Sequence, residues 1–182
     1  VIYDVTDIAV GKQQLHDANE QLAVLSRTDG LTRLNNRSYW EDAVVHEFRR
    51  LKRTGADASL VMFDIDHFKR INDGYGHPAG DEAIRETARV LRESIRATDI
   101  AGRYGGEEFG IILVETGAEG AMVLTERLRI AIEAMTVVHE DYKIQFTISI
   151  GLAQWDPELV SHEQWIDRAD QASKRDRALA KK

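Results

Sequence analysis

The chain has 182 residues, of which 43% are hydrophobic, and carries a formal charge of -7 at pH 7, enough for one substantial core and thus a single domain with an extension. The acidic balance excludes general affinity for nucleic acid, whose phosphates reward clustered Lys and Arg, although small anionic substrates fit if basic residues converge locally. Cysteine is absent, which excludes disulfides and thiolate metal sites and is compatible with a reducing, cytoplasmic compartment.

No run of about 18 apolar residues and no signal-peptide pattern is present. Because the chain opens on Val1, an excerpt is expected, with sensory or membrane-attached parts upstream in the full-length protein. Residues 8–27 predict a helix in which Ile8, Leu15 and Leu22 recur every seventh position, with Ala18 and Leu25 between them. This is the pattern of a short coiled-coil seam, or of an amphipathic helix lying on the domain's own core. Residues 1–25 are accordingly read as an N-terminal connector and 26–182 as the domain. Three heptads alone should dimerise weakly.

A polar, turn-rich segment, Asp29–Arg37, precedes a helix from Ser38 to about Arg53 with Trp40, Val44, Phe48 and Leu51 on one face. Ala58–Asp64 is apolar enough for a buried strand, and the chain then reads as a polar loop through Asn72–Pro78 to a helix over Asp81–Arg96. A strand, a Gly105-Gly106 turn where positive φ would be cheap, and a second strand occupy Ile100–Val114. A helix over Ala118–Met135, one strand over Lys143–Ala153 with period-2 alternation, and a last helix from Ser161 complete the pattern. The order predicts an α/β domain in which helices cover one sheet containing a hairpin.

Asp64 and Asp66 stand where the first strand ends, a common ligand position, and Glu107 and Glu108 follow the Gly-Gly turn. If the strand neighbours the hairpin, Asp64 and Glu107 meet. Two carboxylates about 4 Å apart repel by roughly 4 kcal/mol at an effective dielectric near 20, and a divalent cation removes that cost. Oxygen ligands without histidine point to Mg²⁺ or Mn²⁺ rather than zinc. The structural alternative makes Asp66 a helix cap and Glu107 and Glu108 solvated turn acids. Lys69, Arg70 and Arg103 flank these acids and are candidates for phosphate oxygens. His77, in the Gly-rich loop, is the one histidine placed near them.

Together these motifs resemble GGDEF domains, the diguanylate cyclases. Asp29-Gly30-Leu31-Thr32-Arg33-Leu34-Asn35-Asn36-Arg37 is similar to their opening signature. Phe63 to Asp73 with Gly76-His77 and Gly80-Asp81 is similar to their second block, and Arg103 to Phe109 to their naming motif in its GGEEF form. Thr147-Ile148-Ser149-Ile150-Gly151 resembles their final strand.

The resemblance implies a palm-like, α+β nucleotide cyclase fold with a mostly antiparallel sheet. It implies an enzyme of signal transduction and biofilm control that joins two GTP into cyclic di-GMP, releasing two pyrophosphates, across a homodimer. Asp64, the Ile65 carbonyl and Glu107 would hold two Mg²⁺ per half-site, with Glu108 a further ligand or a base. Lys69 and Arg103 would contact phosphates, Gly105 and Gly106 would let backbone approach them, and Phe68 and His77 would line the pocket. Asn72 and Asp81 would read guanine, which disfavours another purine product.

By the same resemblance Arg96 and Asp99, in an RxxD pattern, with Arg127, would form a product-inhibition site; the plain alternative is a helix-end salt bridge. Arg177 stands where a phosphate-binding lysine is expected, which implies reduced turnover. Ser173 and Lys174 replace an apolar pair, so the last helix is expected to dock less firmly. The competing implication is an inactive module that serves as a cyclic di-GMP receptor. Asp4-Val5-Thr6-Asp7 is similar to the end of PAS sensory domains, consistent with an upstream input domain.

Overall fold

The computed structural model describes residues 5–180, with all of their side chains except those of 23–26 and 180. Asp4 of the PAS-like segment and the Leu25 side chain of the seam lie outside the described residues. The elements are α1 (Val5–Arg27), α2 (Arg37–Thr54), β1 (Ala58–Ile65), α3 (Phe68–Tyr75), α4 (His77–Ser94), β2 (Ile100–Arg103), β3 (Glu108–Val114), α5 (Ala118–Ala134), β4 (Val137–His139), β5 (Tyr142–Ile144), β6 (Ile148–Gln154) and α6 (His162–Ala180).

Four strands form an antiparallel sheet in the order β2-β3-β1-β6, and β4 and β5 pair as a separate hairpin. Every residue of β1 is buried. Because side chains alternate across a strand, β1 feeds two cores. Val61, Phe63 and Ile65 join Phe109 and Ile111 beneath Ile84 and Leu91 of α4 and Leu128 of α5. Leu60 and Met62 join Ile112 beneath Trp40 and Leu51 of α2 and Trp165 and Ala169 of α6. Burial on both faces explains why the strand reads as an unbroken apolar run. Phe63 and Phe109, cross-strand partners, stack with centroids 5.0 Å apart.

Three expectations are corrected. The stretch read as a loop contains α3, which buries Ile71, and α4 starts at His77 rather than Asp81. Pro78 sits in the first turn of α4, where its missing N–H has no partner to lose, so it starts the helix and does not break the chain. The single strand predicted over Lys143–Ala153 is two, with β5 in the hairpin and β6 in the main sheet. The last helix docks as far as Asp176: Ser173 is buried and donates to the Ser149 carbonyl at 3.0 Å, and Asp176 accepts from the Ile150 amide at 2.9 Å. Thus α6 satisfies backbone groups of edge strand β6 that would otherwise be open. The described side chains of α1 up to Leu22 are exposed, so this helix does not lie on the domain's own core.

Candidate active site

The antiparallel register places Asp64, near the end of β1, opposite Glu108 at the start of β3. One residue on, the Ile65 amide donates to the Glu107 carbonyl at 3.2 Å. Thus the strand end and the acidic turn meet, as the sequence suggests. The turn closes when the amides of Tyr104 and Gly105 donate to the Glu108 carbonyl at 2.8 and 3.1 Å. Neither Gly105 nor Gly106 takes a positive φ, contrary to the expectation. A Cβ on Gly105 would strike the Glu108 carboxylate, whereas Gly106 faces open space. Gly105 therefore leaves room for the Glu108 carboxylate where it lies, and a larger residue would push it aside.

Arg103, the expected phosphate contact, is held by the turn and by Asp29. Its Nη2 donates to the Gly106 carbonyl at 2.9 Å and its Nε to that of Gly105 at 3.1 Å, while Nη1 lies 3.2 Å from the Asp29 carboxylate. Asp29 also accepts from the Thr32 amide and hydroxyl, at 2.8 and 2.7 Å. Burial pushes the Asp29 pKa up, but these bonds and the Arg103 charge outweigh it and hold the carboxyl below its ordinary value. Arg103 is a strut that fixes the turn to the start of the domain.

Asp66 is no helix cap, since His67 takes the N-cap position of α3 without a side-chain bond. Its two oxygens accept from the hydroxyls of Thr147 and Ser149, each at 2.6 Å. Asp64 is 8% exposed; its Oδ2 is ion-paired with Arg177, and its buried Oδ1 has no hydrogen-bond partner among the described residues.

A cavity of about 210 Å³ opens beside these groups, lined by Ile65, Phe68, Lys69, Glu107, Thr147 and Arg177 among others. An adjoining cleft carries Asp64, Glu108, Asp170 and Lys174, and Arg177 lines both. Lys174 pairs with Asp170 at 2.6 Å. Burial, then repulsion from Asp170 and Glu107, raises the Glu108 pKa above the ordinary glutamate value, with Lys174 and Arg37 opposing.

Asn72, His77 and Asp81 do not line this cavity. The Asn72 side chain fills the space where Gly80 lacks a Cβ, and Asp81, the next residue of α4, is exposed. His77 is exposed at the first residue of α4.

The donor set suits a hard divalent cation. The unpartnered Oδ1 of Asp64 is an oxygen lacking the partner that burial normally demands. Among the described residues no three carboxylate or imidazole groups are poised to hold a metal together. Magnesium is commonly held by one or two carboxylates and completed by phosphate oxygens.

At the other end of β3, Arg96, Asp99 and Arg127 line a further cavity of about 490 Å³. Asp99 is buried and both its oxygens accept from backbone, from the Arg96 amide at 2.9 Å and the Val114 amide at 3.2 Å. Arg127 donates to the Ser94 carbonyl at 2.6 Å. The helix-end salt bridge does not form; Asp99 caps the turn instead.

Sequence reasoning missed Thr147 and Ser149 as partners of Asp66, and Asp170 and Lys174 as neighbours of Glu108. The available signal was their alternation on one face of the strand and their i,i+4 spacing on α6.

Comparison with known proteins matches residues 26–181 to the family described as "Diguanylate cyclase, GGDEF domain". The chain is 36% identical over 159 residues to the probable diguanylate cyclase DgcC of Escherichia coli K12, covering 87% of this chain and 43% of that protein. It is 38% identical over 157 residues to diguanylate cyclase A of Treponema denticola, covering 85% and 42%. Among solved structures, it is similar to the coiled coil and GGDEF domain of DgcB from Caulobacter crescentus in complex with c-di-GMP. The TM-score is 0.88 at 29% identity, covering 93% of this chain and 90% of that one. The chain spans less than half the length of these two curated relatives.

Proposed function

Because the chain belongs to the diguanylate cyclase GGDEF-domain family, we propose that it condenses two GTP into cyclic di-GMP, one nucleotide held by each subunit of a homodimer. This reading rests on the buried, unpartnered Oδ1 of Asp64 at the meeting point of β1 and the acidic turn.

Asp64, the Ile65 carbonyl and Glu107 would hold Mg²⁺ or Mn²⁺, two per half-site. When bound, these ions lower the pKa of the attacking ribose 3′-OH and stabilise charge on the α-phosphate. Glu108, its pKa raised by burial and by Asp170 and Glu107, is suited to accept the 3′-OH proton as the oxygen forms its bond to the α-phosphorus. The bond to pyrophosphate breaks in the same step, and a second such step closes the ring. Lys69, on the cavity rim, binds phosphate oxygens, while Phe68 supports the pocket. Asn72 and Asp81 read guanine: a carboxylate accepts from its N1–H and N2–H, and adenine has no N1 donor.

Arg96, Asp99 and Arg127 would bind the product and inhibit, with Arg96 directed to guanine O6 and N7. Since Asp99 already accepts two backbone amides, the arginines carry most of that recognition. Among the described residues no helix is long and apolar enough to cross a membrane. A cytoplasmic location and an upstream sensory domain in the full-length protein complete the proposal. The second reading, a cyclic di-GMP receptor without turnover, is favoured by the cavity that gathers Arg96, Asp99 and Arg127.

Incubation with GTP and Mg²⁺, followed by mass spectrometry, separates the two. The wild type is expected to yield cyclic di-GMP and Glu107→Ala at least about a hundredfold less. Product from both proteins would remove Glu107 from the metal site; product from neither would leave the receptor.

A further inference from the structure

Arg177 reaches from the end of α6 to the end of β1, where Nη2 pairs with Oδ2 of Asp64 and Nε lies 4.0 Å from Oδ1 of Asp66. Its starting point is fixed. Asp176, one residue earlier, accepts from the Ile150 amide, and Ser173 donates to the Ser149 carbonyl. The side chain is 33% exposed and lines both the cavity and the cleft, so it has room to move to another partner.

Two of the charged groups nearby already have partners. Asp66 has the hydroxyls of Thr147 and Ser149, and Lys174 has Asp170. Asp64, with one oxygen on Arg177 and the other unpartnered, depends on Arg177 for its counter-charge. A guanidinium has only donors, and on a carboxylate oxygen it takes the lone pairs that a metal would use. The two cations therefore exclude one another at Oδ2, and the guanidinium charge beside the carboxylate weakens the pull of the unpartnered Oδ1 on a metal.

We propose that Arg177 is a tethered counter-ion of Asp64 that competes with the divalent cation until nucleotide arrives. The proposal rests on the reading of Asp64 as a metal ligand. A triphosphate offers the guanidinium several anionic oxygens in the fork geometry that arginine matches best. Arg177 then leaves Asp64 for the phosphates, and the carboxylate becomes free for the metal that accompanies them. Metal and GTP thus bind interdependently, and metal alone binds weakly. Arg177 positions the ligand set and guards it.

The test is a titration of Mn²⁺ into metal-free protein without nucleotide, read by the electron paramagnetic resonance signal of free Mn²⁺. Wild type, Arg177→Gln and Asp64→Asn are compared, with thermal melting to verify that each is folded. Arg177→Gln is expected to bind Mn²⁺ about tenfold or more tightly than wild type, and Asp64→Asn to lose binding. A non-hydrolysable GTP analogue, corrected for the Mn²⁺ it binds itself, is expected to tighten Mn²⁺ binding more in wild type than in Arg177→Gln. Equal or weaker binding by Arg177→Gln, with Asp64→Asn impaired, overturns the counter-ion and leaves the metal site standing. No Mn²⁺ binding by wild type or Arg177→Gln overturns both.

Discussion

A single carboxylate, Asp29, fastens the start of the domain to the acidic turn. It accepts from Thr32 and pairs with Arg103, whose remaining N–H groups hold the carbonyls of Gly105 and Gly106. Because its pKa is lowered in the folded protein, Asp29 contributes stability that is present above the ordinary aspartate value and lost as pH falls through the lowered one. Asp29→Asn is expected to cost about 1 kcal/mol in urea unfolding at pH 7, with the difference from wild type closing in acid; a pH-independent difference would refute the linkage. The residue's place in a motif was legible, but its partner was not. Arginine's fork suits carboxylates, carbonyls and phosphates alike, so the sequence did not say that Asp29 and the turn would hold Arg103. The meeting of Asp64 with the acidic turn was legible, because a strand ending in carboxylates and a hairpin starting with them have few ways to pair.

Element by element, the strongly periodic helices were legible and the short or broken segments were not. In α3 only Phe68 and Ile71 face the core, so its eight residues read as polar loop. The alternation of Ile144, Phe146, Ile148 and Ile150 continues through the gap between β5 and β6 without changing phase, so period alone gives no sign that the strand is two. The docking of α6 was misjudged because the hold of its second half, beyond the apolar Trp165, Ile166 and Ala169, is polar and backbone-directed. Gly151 of β6 lets α6 come so close that a Cβ there would strike the Ala169 carbonyl and the Ser173 amide. Gly151→Ala is therefore expected to destabilise the domain by about 1–3 kcal/mol, measured by urea denaturation. Fluorescence of Trp165, buried in α6 against β6, should shift as the helix retreats. An unaltered midpoint and spectrum would show that α6 is anchored elsewhere.

For the whole molecule, the proposed chemistry needs two copies, and two domains that each carry a charge of -7 gain nothing from long-range attraction. The encounter must come from a specific contact, and α1 offers one: Ile8, Leu15 and Leu22 are exposed, seven residues apart. At the far end of α1, the Arg27 carbonyl accepts from the Asn36 amide at 2.6 Å, and the Asn35 carbonyl accepts from the Arg103 amide at 2.9 Å. The connector therefore joins the strut that holds the turn. A seam of about three heptads holds two chains only weakly, so it acts by raising the local concentration of the second half-site and leaves chemistry within the assembled pair unaltered. Removal of residues 1–25 is expected to lower the rate per subunit about tenfold or more at dilute protein, with the curves converging as concentration rises. Cyclic di-GMP formation measured across a dilution series checks this, and overlapping curves would place the dimer contact within residues 26–182 instead.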